Sequence, residues 1–151
     1  MNWLKAISKF KMFLKIERGL SENSIDSYSS DLKSFYSFIK KNSLSENLKK
    51  CDSNIIKQFI YEQSKINNPK TQARRISGIR SFFDYLVFES FIKTNPTELI
   101  ETPKIGKKLP DSLSLKEIIK IINSIDLSHP QGIRNRAIIE TLYGSGLRVS
   151  E

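Results

Sequence analysis

The chain has 151 residues, of which 38% are hydrophobic, so it can form the packed cores of one domain or of two small ones. Its 25 basic and 16 acidic side chains give a net charge of +9, which favours a polyanionic partner such as DNA, RNA or an anionic membrane surface. A single cysteine and a single histidine exclude an intrachain disulfide and a cysteine-rich metal site. No apolar run approaches the roughly 18 residues of a membrane span, so we expect a cytoplasmic protein.

The excess positive charge is concentrated at the front of the chain. Residues 1–100 hold 17 basic and 10 acidic groups, a net charge of +7, whereas residues 101–151 hold 8 and 6, a net charge of +2. A basic balance alone also occurs in proteins that bind no polyanion. The uneven distribution nevertheless favours the first hundred residues as the part that contacts one.

Four amphipathic helices are predicted in residues 1–100, because apolar residues recur every three or four positions and no segment alternates with period two. This pattern predicts an all-α, four-helix domain. The first helix is predicted over residues 2–18, with a stop at Gly19, and the second follows a cap at Ser21 and extends to about Lys41. Asp52 or Ser53 is expected to cap the third helix, and the fourth is predicted from Lys70 or Thr71 to about Glu89.

Residues 101–112 are predicted to be a linker, because Pro103, Gly106 and Pro110 oppose regular structure. Beyond the linker, Ser114 can cap one helix, and a second should cover about Ile133 to Tyr143. Two helices of this length make a poor core by themselves. We therefore expect residues 113–151 to be the opening of a second, incomplete domain.

Several stretches, taken in order along the chain, match one family pattern. They are Leu20–Tyr28 with Asp31 and Leu32, Arg75–Leu86, Asn95–Pro96, Pro103–Lys104 with Lys108–Pro110, and Arg134–Ala137 with Leu142–Glu151. Together they resemble the tyrosine site-specific recombinase (lambda-integrase) family, in particular its Xer branch. The resemblance implies a SAM-like helical core-binding domain, followed by the first helices of a truncated mixed α/β catalytic domain.

The resemblance also implies a chemistry. Enzymes of this family cleave one DNA strand at a time with a tyrosine, form a 3′-phosphotyrosyl link and need no metal or cofactor. Arg148 matches the first catalytic arginine, whose rigid charged fork suits a phosphate that gains negative charge. Glu151 matches a nearby acidic position that can orient the site. Without the resemblance, an arginine in such a string is more often a surface or capping residue.

The other catalytic elements of the family are not found in these residues. They comprise a lysine on a β-hairpin, a His-x-x-Arg pair, a further His or Trp and the nucleophilic tyrosine. The tyrosines that are present lie on predicted helices, where a core or surface role is expected: Tyr28, Tyr36, Tyr61, Tyr85 and Tyr143. We therefore expect this chain to bind DNA without cleaving it.

The candidate DNA-binding residues are polar side chains on the fourth helix and lysines of the linker. A basic, hydroxyl-rich helix face can enter a major groove, whereas linker lysines can follow phosphates. A solvated helix face without a ligand is the alternative interpretation of the same cluster. The candidates are Thr71, Gln72, Arg74, Arg75, Ser77, Arg80, Lys104, Lys107 and Lys108.

The family resemblance implies a task and partners as well. The expected target is a recombination half-site in double-stranded DNA, bound by a tetramer of this protein alone or with a second recombinase. The cellular task would be chromosome dimer resolution at cell division, with a DNA translocase as a further partner and no membrane. A phage or transposon integrase and a non-catalytic helical DNA-binding or interaction module are the alternatives.

Overall fold

The computed structural model describes residues 2–106 and 111–150. Within them the chain forms six α-helices and no β-strand, which confirms the predicted all-α class. The helices are α1 (Trp3–Ile16), α2 (Glu22–Lys41), α3 (Ser53–Ser64), α4 (Pro69–Phe88), α5 (Leu115–Asn123) and α6 (Gly132–Ser145), with a 3-10 turn at Leu48–Lys50.

Side-chain caps determine where most of these helices begin. Ser21, Asp52 and Asn68 each accept a hydrogen bond from the backbone N–H three residues later, at 3.4, 3.0 and 2.8 Å. Each bond satisfies a helix N–H that has no partner within the helix. Helix α4 begins at Pro69, slightly before the predicted start, because Asn68 is its cap and proline suits the first helical position.

The ends of α1 and α6 differ from the predictions by about two residues. Helix α1 ends at Ile16, and Gly19 then adopts a left-handed φ of +59°, which lets the Leu20 N–H donate to the Leu14 carbonyl at 3.0 Å. Helix α6 continues through Ser145, beyond the predicted end at Tyr143, because Gly146 supplies the left-handed cap at φ +64°.

Aromatic side chains from all four helices of residues 2–106 meet in one core. Trp3 and Phe10 of α1 contact Phe35 of α2 and Phe82 of α4, with ring centroids 5.5 and 5.4 Å apart. Phe59 of α3 lies 5.0 Å from Phe35. All five rings are at most 1% exposed, so this core fixes α4 against the other helices.

The segment after α4 packs back onto that helix. Asn95 donates to the Asp84 carboxylate at 2.6 Å and accepts from the Thr97 N–H and hydroxyl at 2.8 and 2.7 Å. Arg80 of α4 donates to the carbonyl of Ile100, whose side chain is buried. The packed part of the chain therefore continues past the end of α4 to Ile100.

Residues 111–150 contain the two shorter helices, α5 and α6. Ser114 and Glu117 form a capping box at the start of α5. Of the described residues in this segment only Gly132 is buried, and a Cβ there would lie 2.0 Å from the Asp126 carbonyl oxygen. Only glycine fits at this position.

The described residues divide into two compact units, one within residues 1–106 and the other within residues 107–151. We refer to them as the front unit and the rear unit. None of the described helices is both long enough and apolar enough to cross a bilayer.

Candidate nucleic-acid interface

Helix α4 divides its side chains between the core and the polar surface. Ile76, Ile79 and Phe83 are buried, whereas the polar positions between them are exposed or half-buried. This division follows from the helical period, since residues three and four apart share a face. The DNA-binding candidates of this segment therefore lie on one helix, but the three arginines of α4 have different surroundings.

Arg74 is the most accessible of these arginines, with 43% of its side chain exposed. Its two terminal nitrogens face the Asp31 carboxylate of α2, with Nη2 3.0 Å from Oδ1 and Nη1 in close contact with Oδ2. A two-bond arginine–carboxylate pair of this kind fixes the plane of the guanidinium. Arg74 is thus oriented and still reachable from solvent.

Arg75 lies deeper, with 19% of its side chain exposed. Its Nε donates to Asp31 Oδ1 at 3.1 Å, and its Nη1 donates to the side-chain oxygen of Gln63 on α3. Arg75 therefore connects α4 to both α2 and α3, and its principal observed contacts are structural.

Asp31 receives hydrogen bonds from both arginines while only 3% of its own side chain is exposed. Helices α2 and α4 approach closely here because Gly78 has no side chain: a Cβ at Gly78 would lie 3.2 Å from the Tyr28 ring and 3.6 Å from Asp31 Oδ2. Sequence reasoning did not assign a role to Asp31. Its position, three residues after Tyr28 and four before Phe35, places it on the apolar stripe of α2, where an unpaired acid is costly.

The remaining candidates on α4 have mainly local contacts. Arg80 is half-buried and anchors the segment at Ile100, as described above. Ser77 is exposed, and its hydroxyl donates to the Ala73 carbonyl at 3.0 Å. Thr71 and Gln72 are half-buried in the first turn of the helix. A role in DNA binding stays a prediction for each of them.

The remaining candidates are the three linker lysines and the two residues predicted to be catalytic. Lys104 is exposed, whereas Lys107, Lys108 and Glu151 lie outside the described residues. Arg148 is exposed in the irregular segment after the Gly146 cap, where the Leu147 N–H donates to the Leu142 carbonyl at 3.0 Å. The turn therefore places Arg148 just beyond the end of α6, and its catalytic role stays a prediction.

Two of the tyrosines are set in surroundings that disfavour ionisation. Tyr36 donates its hydroxyl to Glu46 at 2.6 Å, and this hydrogen bond raises the pKa of the phenol. Burial raises the pKa of Tyr85, assisted by the charges of Glu89 and Glu17. The structural roles expected for these two tyrosines stay predictions. In the described part of the chain, no group of His, Cys, Asp and Glu side chains could hold a metal ion.

The comparisons with known proteins agree with this architecture. Residues 7–90 match the sequence profile of the phage integrase N-terminal SAM-like domain. The chain therefore belongs to the tyrosine recombinase (phage integrase) family.

Among curated relatives, the tyrosine recombinase XerD of Staphylococcus haemolyticus is 37% identical over 152 residues, covering 96% of this chain and 49% of the relative. The tyrosine recombinase XerD of Oceanobacillus iheyensis is 40% identical over 149 residues, covering 97% and 49%. The chain thus spans about half the length of the curated relatives it matches.

A solved structure shares the fold. The integrase of mycobacterium phage Brujita superposes with a TM-score of 0.60 at 16% sequence identity, covering 96% of this chain and 46% of that one. At this identity the similarity shows the fold alone.

Proposed function

We propose that this chain is the DNA-binding front part of a site-specific tyrosine recombinase of the Xer kind. The observation that carries the proposal is Arg74 on α4, a half-exposed cation held in a fixed plane on the helix that the family profile covers. A fixed, accessible guanidinium can donate to phosphate oxygens or to a base edge. The net charge of +7 on residues 1–100 supports the same assignment.

DNA binding is tested by fluorescence anisotropy on a labelled duplex over a series of salt concentrations. We expect affinity to fall steeply with salt, because each neutralised phosphate releases counterions. Arg74→Ala should weaken binding by about 1–3 kcal/mol if it contacts a base edge. Arg18→Ala is the matched control, since this exposed arginine lies near Tyr85 and Phe88, at the other end of α4. Salt-independent binding, or equal losses in both variants, would contradict the proposal.

For catalysis, we propose that Arg148 is the first catalytic arginine and that the 151 residues alone do not cleave DNA. Removing members of a cooperating catalytic set costs orders of magnitude in rate. We therefore expect no covalent adduct between this chain and a nicked suicide substrate. In a protein that extends beyond Glu151, Arg148→Ala should abolish the adduct while half-site binding persists. Cleavage at near parental rate by that variant would remove Arg148 from the active site.

For domain organisation, we propose a core-binding domain at residues 1–100, a linker at 101–112 and the start of the catalytic domain at 113–151. The exposed apolar side chains of α5 and α6, among them Leu115 and Ile133, support a rear unit that packs against further protein. Limited trypsin digestion should cut first at Lys104, Lys107 or Lys108 and leave the front unit intact. An intact linker after the front unit has been cut would contradict this division.

For the cellular role, we propose chromosome dimer resolution by a tetramer on DNA, formed with itself or a second recombinase, with a DNA translocase as a further partner. The similarity to proteins named tyrosine recombinase XerD supports this choice over a phage or transposon integrase and over a non-catalytic module. Deleting the gene should give cells with unresolved chromosome dimers, visible as failed segregation. Normal segregation would favour a mobile-element integrase.

A further inference from the structure

Asp31 is the only charged residue among the buried residues of the described chain. A buried carboxylate is stable only when it is paired and fully hydrogen-bonded. Here one carboxylate accepts from two neighbouring arginines, so two positive charges face one negative charge. The cluster therefore keeps a net positive charge at the surface of α4.

The two arginines use this carboxylate differently. Arg75 bridges inward to Gln63, whereas both terminal nitrogens of Arg74 face Asp31. A guanidinium has five N–H groups, and the pair with Asp31 uses two of those on Arg74. Three N–H groups of Arg74 therefore remain outside this pair, on a side chain that is 43% exposed.

We propose that Asp31 is a positioning residue for DNA recognition, which acts by holding Arg74 in one orientation. The ligand of Arg74 would be a pair of adjacent acceptors on DNA, either phosphate oxygens or the O6 and N7 atoms of a guanine. Fixing a long side chain before binding reduces the conformational entropy lost in the complex. This inference rests on the DNA binding proposed above.

Positioning and simple charge balance predict opposite effects of removing the carboxylate charge. Asp31→Asn raises the net charge from +9 to +10. If Asp31 only neutralised Arg74 and Arg75, the variant would bind every duplex more tightly. If Asp31 positions Arg74, the variant loses affinity for the preferred sequence, although it has gained positive charge.

The experiment compares one preferred duplex with a random one. The preferred duplex is selected from a randomised pool by the unmodified chain, and affinities for it and for the unselected pool are measured by anisotropy. Asp31→Asn should lower the ratio of the two affinities by about tenfold. Asp26→Asn is the matched control, because it makes the same charge change on α2 at an exposed acid paired with Lys11. If both variants tighten binding to both duplexes equally, the inference is wrong.

A second variant guards against loss of the fold. Removing a partner from a buried pair destabilises a protein, so the affinity measurements are made well below the melting temperature of each variant, determined by circular dichroism. Arg74→Lys leaves the buried Asp31–Arg75 contact in place and keeps the charge, but it cannot form the same fork. It should lower the affinity ratio about as much as Asp31→Asn, and the double variant should lose little more. An unchanged ratio in Arg74→Lys would overturn the inference.

Modified duplexes identify the acceptors. Replacing guanines of the preferred duplex by 7-deazaguanine removes the N7 acceptor, whereas a methylphosphonate removes a phosphate charge. If one of these modifications abolishes the difference in affinity between Arg74→Lys and the unmodified chain, the group that it removes is the ligand of Arg74. If neither modification changes that difference, the inference is contradicted. If the unmodified chain binds no duplex in a salt-dependent way, the proposed function fails. If it binds and Asp31→Asn behaves as Asp26→Asn does, only the inference about Asp31 fails.

Discussion

The front unit and the rear unit are both built from amphipathic helices, but they differ in how much apolar surface they bury. The front unit encloses a core of aromatic and aliphatic side chains that includes Trp3, Phe35 and Phe82. In the described part of the rear unit only Gly132 is buried, and Leu115 and Ile119 are 59% and 47% exposed. An apolar stripe therefore predicts a helix in both units, but it predicts a buried face only where enough other elements are present to cover it.

The two units also differ in what stabilises them. In the front unit, burial of large rings contributes most of the favourable free energy. In the described rear unit, local interactions such as the Ser114–Glu117 capping box carry a larger share, because little apolar surface is removed from water. Substitutions in the core and at helix caps should therefore affect the two units to different degrees.

The largest expected difference between the units is the response to removing a large apolar side chain. Phe82→Ala should lower the free energy of unfolding by about 3–5 kcal/mol, because the ring is fully buried and its loss leaves a cavity. Ile119→Ala, at a half-exposed site of α5, should change the free energy of unfolding by less than about 0.5 kcal/mol. Trp3 is the only tryptophan, so its fluorescence during urea denaturation reports the front unit. Equal effects of the two substitutions would show that the rear unit shares the core.

The reactivity of Cys51 gives a second measure of the packing of the front unit. Burial raises the pKa of this thiol from 9.0 to about 12, with a smaller contribution from the charge of Asp52. At pH 8 the folded chain should therefore react with a disulfide reagent roughly a thousand times more slowly than the unfolded chain, since only the thiolate attacks. A native chain that reacts as fast as the chain in urea would contradict the packing described for Cys51.

The raised pKa of Cys51 also makes the stability of the folded chain decrease at high pH. Because the folded state keeps the thiol protonated, this contribution is complete below pH 9 and is lost as pH rises through about 12. The Cys51→Ala variant should lack that component of the pH dependence between pH 9 and 12, and the difference between the two unfolding curves isolates it from titrating lysines and tyrosines.

Helix positions were the part of the fold best predicted from sequence. Ser21 and Ser114 were predicted as caps, and Asp52 was one of two candidates with Ser53. Ser21, Asp52 and Ser114 are caps in the structure, because capping depends on a few neighbouring residues. The end of α2 at Lys41 was also predicted. The 3-10 turn at Leu48–Lys50 was not, because its buried Leu48 stands alone between polar residues.

The contacts of the candidate site were less accessible to sequence reasoning. The polar face of α4 was predicted from its period, but the pairing of Arg74 and Arg75 with Asp31 joins residues 43 and 44 positions apart. Local patterns do not encode such pairs. Likewise, Arg80 donates to the backbone carbonyl of Ile100, and a carbonyl acceptor has no side-chain signature in the sequence. The DNA-binding roles of these arginines stay predictions.

Removing a helix cap should also affect the two units differently, but with a smaller change in the free energy of unfolding than removing a core ring. Asp52→Ala should lower the free energy of unfolding of the front unit by about 1 kcal/mol, because the Ile55 N–H loses its acceptor. Ser114→Ala should leave the Trp3 fluorescence transition unchanged and reduce only the helicity of α5, measured by NMR chemical shifts. A shift of the Trp3 transition by Ser114→Ala would contradict the proposed division into two domains.

The smallest effect expected is the pH dependence of α5. Hydrogen bonds from the Ser114 side chain and backbone lower the pKa of Glu117, so the ionised carboxylate favours the capped helix. A lowered folded-state pKa means that this stabilisation is present above the ordinary value of 4.5 and is lost as pH falls below it, through the folded-state value. Backbone carbon chemical shifts of Leu115 to Ile118 should therefore move towards unfolded values on acidification.

Glu117→Gln provides the control for this titration. Glutamine can complete a capping box without ionising, so the variant should keep its helix at neutral pH but show no comparable change on acidification. Residues 1–100 contain ten acidic side chains of their own, so the shifts of α5 must be followed residue by residue. If α5 loses helicity equally in both proteins, its acid sensitivity arises outside the capping box, and local capping is not what maintains the helix in the rear unit.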